Sequence, residues 1–340
     1  MTTIATISEL LTLSNAQYRV FDIGRKITKI SKDQFNKIEL NQIPYPFPAQ
    51  GNAWVALAFW QKQNTEPYLW FVKLPLDERG LMNQGARNHF IAIIVEALGS
   101  DLSVDPTEKQ EELLKSNPYH FTPAGYKLSA LNSILKAELK QAASIHFESV
   151  QQYMSGHKHW QEWQHLGLQG LQDYAARVSH NDNTNHLIKA LPNLPSQVLF
   201  PLCIALENQI LGHELINAFI AEINSCTDQD KTLHLVRALS SSIHLNQVKN
   251  LFRTILERGN LSPDWLITMA TRCWEIFEDK ELVSLFLELL AKEDDKALFP
   301  AIFKDLVAIP TIKPNIFVCM RSETRSDALA KAIGSLFNQQ

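Results

Sequence analysis

The stretch QDKTLHLVRALSSSIHLNQVKNLFRTILERGN, residues 229–260, decides how this chain folds. Leu235 and Leu239 stand four residues apart and would share one face of a helix, and Val248, Phe252 and Leu256 repeat that spacing further on. Thr227-Asp228-Gln229-Asp230 opens the unit as a polar break, and Gly259-Asn260 closes it. The pattern predicts two amphipathic helices joined by a short turn.

Shifted by 33 or 34 positions, the pattern returns. In the first helix Leu202, Leu235, Met269 and Phe303 correspond, as do Leu206, Leu239, Cys273 and Val307. In the second helix Leu215, Val248, Leu282 and Ile316 correspond, then Phe219, Phe252, Phe286 and Met320, then Ile223, Leu256 and Leu290. A helix pair with one apolar stripe cannot bury it alone, so successive pairs must stack. Ser262 before Pro263 reads as a helix start and Gly259 as the preceding stop. Pro310, Pro314 and the polar Thr324 set the last unit apart as a terminal cap.

The repeat length resembles the tetratricopeptide class, and WQHLG at 163–167 matches the start of its W-x-x-L-G pattern. The match then fails, because Leu215, Val248 and Leu282 stand where that family needs small residues. Residues 164–338 resemble instead the looser HEAT-type and armadillo-type helical repeats, a resemblance of architecture and not of function.

The N-terminal third reads differently. QYRVFDIGRKI, residues 17–27, has β-branched and aromatic residues at strand spacing, and WVALAFW (54–60) and YLWFVKL (68–74) flank a polar stretch as a hairpin would. Both hairpin strands are apolar at nearly every position, which requires cover on both faces. Helices expected at Ile7–Leu13, Lys32–Leu40 and Gly85–Leu98 supply apolar stripes for that purpose. A small α+β domain over residues 1–100 follows. Residues 101–123, polar and acidic and then interrupted by Pro118 and Pro123, read as a linker. Residues 124–340 form a helical bridge and the repeat array, the bridge opening with one long amphipathic helix from Ala124 to Met154. The expected fold class is mainly α: a small N-terminal α+β domain followed by an α-solenoid of helix pairs.

The strings YRVFDIGRKI (18–27), NPYHFTP (117–123) and WQEWQHLGLQG (160–170) resemble those of a proteobacterial family of unknown function. That resemblance covers nearly the whole chain and implies a bacterial, cytoplasmic protein. It carries over no catalytic residue.

Composition excludes several classes. Of 340 residues, 45% are hydrophobic, 20% are charged and 12 are glycine, the balance of a folded, helix-rich protein. A net charge of −4 gives no electrostatic reason to approach nucleic acid. Such binding would require Arg19, Arg25, Lys26, Lys29 and Lys32 to share one face. Four widely spaced cysteines form neither a metal motif nor a disulfide framework. The first residues lack a signal-peptide pattern, and no apolar run approaches the ~20 residues that span a bilayer. The cytoplasm is the expected location, with no membrane association.

Three places attract a functional reading. Asp22, Gly24 and Arg25 place an acid and a base around a glycine, a pattern that more often marks close backbone packing. His146, His157, His159 and His165 lie close together, but on a helix His157 and His159 would point about 200° apart, which is wrong for a metal pair. Trp160 and Trp163, three apart, would share a helix face and form either core or a partner anchor. Arg25, His159, Trp160 and Trp163 are therefore the candidate binding residues, with no metal, cofactor or catalytic set specified. The expected function is a non-enzymatic interaction or scaffold protein with a protein partner. An inter-domain enzyme using Asp22 or Glu148 with a histidine, and a nucleic-acid-binding accessory protein, are the alternatives. The oligomeric state is not specified.

Overall fold

The structure, a computed structural model, describes residues 4–61, 66–99 and 107–337. It is mainly helical, with a small N-terminal four-stranded sheet followed by a helical C-terminal region. Two compact units result: Met1–Pro123 with Phe303–Lys313, and Ala124–Ile302 with Pro314–Gln340.

In the first unit, α1 (Ile7–Leu13) starts where the Thr6 hydroxyl accepts from Glu9 N at 3.0 Å. The strands are β1 (Gln17–Asp22), β2 (Thr28–Ile30), β3 (Asn52–Trp60) and β4 (Tyr68–Pro75), antiparallel in the order β2-β1-β3-β4. The single strand expected over 17–27 is thus two. The Asp22 carboxylate accepts from Arg25 N at 3.3 Å, an Asx-type turn that folds the chain back as β2.

Helices α2 (Lys32–Glu39) and α3 (Gln84–Leu98) join α1 on one face of the sheet. There Ile7, Leu10, Phe35, Ile38, Phe90 and Ile94 pack with Val20, Val55, Leu57 and Val72. The opposite face carries the cross-strand row Phe21–Ala56–Phe71, which is also buried. Phe121 covers part of it, 6.0 Å from Phe71 and 4.8 Å from Trp54 between ring centroids.

Residues 107–123, expected as a linker, are part of this unit, while 100–106 lie outside the described residues. Helix α4 (Glu108–Lys115) packs on α3. The prolines then keep the chain extended, so that Lys73 N donates to Tyr119 O at 2.7 Å and Phe121 N to Phe71 O at 3.3 Å along the edge of β4.

Glu39 ties the three sheet-covering helices together. Its buried carboxylate accepts from Ile7 N at 2.5 Å, Ser8 N at 3.0 Å and Ser8 Oγ at 2.6 Å, at the N-terminus of α1 where negative charge is favoured. Its carbonyl accepts from the Arg87 guanidinium and from Gln84 Nε2 on α3. Burial pushes the Glu39 carboxyl above its usual 4.5, although the Ser8 and Ile7 hydrogen bonds and the Arg87 charge pull the other way.

The second unit holds α5 (Gly125–Glu138), α6 (Phe147–Met154), α7 (Leu168–Ala176), α8 (Asn183–Ala190), α9 (Ser196–Leu206) and α10 (His213–Ser225). It continues with α11 (Gln229–Ala238), α12 (Asn246–Arg258), α13 (Pro263–Arg272) and α14 (Lys280–Leu290). Helices α15 (Leu298–Val307), α16 (Lys313–Met320) and α17 (Asp327–Phe337) complete the described chain. Packing runs α5-α7-α9-α11-α13 in one layer and α6-α8-α10-α12-α14 in the other. The bridge before residue 196 therefore joins the same two layers.

The column residues of α9–α14 are all buried, including Phe219, Phe252 and Phe286 at 0% exposure. Val307 and Met320, the last members of their columns, are only half-buried.

The long helix expected from Ala124 to Met154 is broken into α5 and α6. Lys140 adopts φ 55, and Asp173 of α7 and Arg177 just after it hold the intervening turn through Ser144 N at 2.9 Å and Gln141 O at 3.1 Å. Apolar periodicity runs through this turn and conceals it.

Helix α7 crosses α6 at Gly170, where an added Cβ would lie 2.5 Å from His146 O and 2.8 Å from Val150 Cγ2. Gly170→Ala should cost about 2 kcal/mol in chemical denaturation, whereas Gly212→Ala, with open space around it, should cost nothing comparable. Equal stability of the two variants would contradict this crossing. Because the folded Glu39 pKa is raised, its contribution to stability is present below the unfolded value and is lost as pH rises through the folded one. The stability of the wild type relative to Glu39→Gln should therefore fall as pH is taken from about 4 to about 7.

Candidate functional site

Arg25 lies in the turn between β1 and β2 and is 2% exposed. Its Nε and Nη2 donate to Pro48 O at 3.0 and 2.8 Å, and Nη2 pairs with the Asp305 carboxylate at 2.8 Å. Asp22, fully buried, accepts from the Tyr45 hydroxyl at 2.7 Å. Burial and the adjacent Asp22 charge push the Tyr45 phenol well above its usual 10. The sequence offers Arg25 as a binding residue, but the structure gives it a structural task, holding residues 303–313 within the first unit. Since Arg25 and Lys26 are both buried, they do not join Arg19, Lys29 and Lys32 in one exposed basic face.

The histidine and tryptophan stretch is not one helix. Gly156 at φ 80 follows α6, and Trp163 opens a short 3₁₀ turn ending at His165. Trp160 is half-buried edge-on against Tyr153, centroids 5.3 Å apart, and the Tyr153 hydroxyl donates to Trp160 O at 2.8 Å. Trp163 is half-buried and His159 exposed. The shared helical face expected for the two tryptophans is therefore absent, because glycine in the left-handed region ends the helix before either is reached. Among the described residues, no three His, Cys, Asp or Glu side chains are placed to hold a metal ion.

Two features of the second unit come from its layering. The first joins helices far apart in sequence: Glu207, 1% exposed, follows α9 and accepts from the Arg237 guanidinium of α11, with Arg272 of α13 at 3.7 Å. Arg272 Nη2 also donates to the Tyr126 hydroxyl of α5 at 3.2 Å. Contact between α5 and α13 requires the first layer to curve inward. Burial alone would lower the Arg237 pKa, yet hydrogen bonding to Glu207 and its charge more than offset this, so the net shift is upward. The cluster ties the end of α9 to α11 and α13. Cys203 nearby is buried, and burial pushes its thiol far up, out of reach of nucleophilic chemistry at neutral pH.

The second feature is a cavity of about 330 Å³ between the ends of α10 and α12 and the starts of α11 and α13. Ile223, Leu251, Ile255, Leu261 and Trp265 make its apolar wall, and Asn224, Thr227, Thr254, Arg258 and Asn260 its polar rim. Shifting by the repeat places Trp265 in register with Val198, Lys231 and Phe299. Valine, lysine, tryptophan and phenylalanine thus occupy that position in successive units, so no sequence signal singles out Trp265. Glu207 and Arg237 lie beside the apolar columns, where periodicity of apolar residues says nothing about them.

Residues 2–337 match the family model described as "Protein of unknown function (DUF3549)". The chain belongs to that family. Comparison of this DUF3549 member with curated proteins and with solved structures finds no match. No helix among the described residues is long and apolar enough to cross a membrane.

Arg25→Met should destabilise the first unit by about 2 kcal/mol and speed hydrogen exchange of the amides in residues 303–313. Unchanged exchange there would show that the Asp305 pair is dispensable.

Proposed function

We propose that the protein is a non-enzymatic interaction protein whose stacked helix pairs act as a HEAT-like solenoid that binds a polypeptide partner. The observation that carries this reading is the two-layer packing of α5 to α14, with the inward curvature that the Arg272–Tyr126 contact requires. Stacked pairs of this kind present long surfaces built from successive units, suited to an extended chain. Exposed Ile145, Leu168 and Ile210, at 92%, 67% and 74% exposure, add apolar area on the same unit. A bacterial cytoplasmic setting belongs to the same proposal and is supported by the sequence resemblance.

The test is lysine cross-linking of the tagged full chain at native expression level, followed by mass spectrometry. A reproducible partner with cross-links to Lys136, Lys189, Lys231 or Lys249 is the expected outcome. Cross-links confined to residues before 124, or no reproducible partner, would overturn the reading.

A further inference from the structure

We infer that the cavity between α10, α11, α12 and α13 receives the C-terminal residue of a polypeptide, its apolar side chain against the wall and its free carboxylate at Arg258 and Trp265. This deepens the interaction reading and rests on it. The volume, about 330 Å³, lies at the small end of ligand pockets and suits one or two residues.

The chemistry of the lining selects the occupant. The wall of Ile223, Leu251, Ile255, Leu261 and Trp265 calls for an apolar body. Trp265 is 4% exposed, and its indole N–H meets no acceptor among the described residues. This nitrogen is not among the buried unpartnered polar atoms, so solvent reaches it, and a ligand oxygen in the cavity would replace solvent as its acceptor. Arg258, exposed at the end of α12, lines the same cavity and has no ion-pair partner among the described residues.

No Asp or Glu lines the cavity. The neighbouring Asp228 carboxylate is turned to its own helix, where Oδ1 accepts from Asp230 N at 2.9 Å and Lys231 N at 3.1 Å. The other rim groups, Asn224, Thr227, Thr254 and Asn260, are neutral amides and hydroxyls. One guanidinium, one indole donor and an apolar wall together match a carboxylate beside an apolar side chain.

The experiment titrates the full chain with N-acetyl-Gly-Gly-Leu and N-acetyl-Gly-Gly-Phe, each as free acid and as C-terminal amide, by calorimetry. Nuclear magnetic resonance of the indole and guanidinium N–H groups is followed in parallel. The acids should bind about fivefold more tightly than the amides, as an exposed ion pair allows, and should shift the Trp265 indole resonance. Arg258→Gln, a surface change, should abolish the acid–amide difference without altering thermal stability. Equal binding of acid and amide, no saturable binding up to about 1 mM, or an unmoved Trp265 resonance would overturn the proposal. Octanoate binding as tightly as the peptide acids would also overturn it, assigning the cavity to small carboxylates. A partner cross-linked to the array that still binds after its own C-terminus is blocked would remove this inference alone, whereas absence of any partner would remove the interaction reading beneath it.

Discussion

Burial of the aromatic and aliphatic columns is the constraint on which the second unit rests. Phe219, Phe252 and Phe286 occupy equivalent positions in α10, α12 and α14 and are wholly buried, each worth about 2–3 kcal/mol of transfer from water. None of these helices can shield its own stripe, so each depends on its neighbours for burial. The two layers also meet each other, α6 on α7 and α10 on α11, so each stripe is covered from its own layer and from the facing one. Loops then collect at the layer ends. The cavity between α10 and α13 is one consequence, formed where two such junctions lie side by side.

Charge is used in the structure chiefly as a clamp. Arg25 with Asp305, Glu39 across three helices, and Glu207 with Arg237 and Arg272 all join segments distant in sequence. Breaking such a pair leaves a buried charge unmatched, so these residues specify one arrangement among several of similar apolar burial. Arg258 differs from them. It stands at a cavity rim with no acid in the lining, which separates it from the structural arginines on chemical grounds.

Much of the fold is legible in the residues alone, and the parts that are not have physical causes. The hairpin of β3 and β4 announces itself because a strand covered on both faces has no polar alternation. The broken helix at Lys140 does not, since the turn there is held by Asp173 and Arg177, contacts that no local pattern encodes. The β1–β2 turn escapes for a related reason: its determinant is one hydrogen bond from the Arg25 amide to Asp22 within an otherwise strand-like run. Residues 107–123 look like a linker by composition, yet Tyr119 and Phe121 find their partners on the edge of β4.

The candidate site divides in the same way. From sequence come the repeat period, the apolar columns, the caps at Gly259 and Ser262, and with them the existence of stacked pairs, because each is a local property of spacing and backbone preference. Only the tertiary structure decides that Arg25 is a buried clamp, that Trp160 and Trp163 leave the helix after Gly156, and that Arg258 and Trp265 border one cavity. These outcomes depend on which junctions the layers bring side by side. Packing across units sets that, and the local periodicity of a single helix contains no record of it.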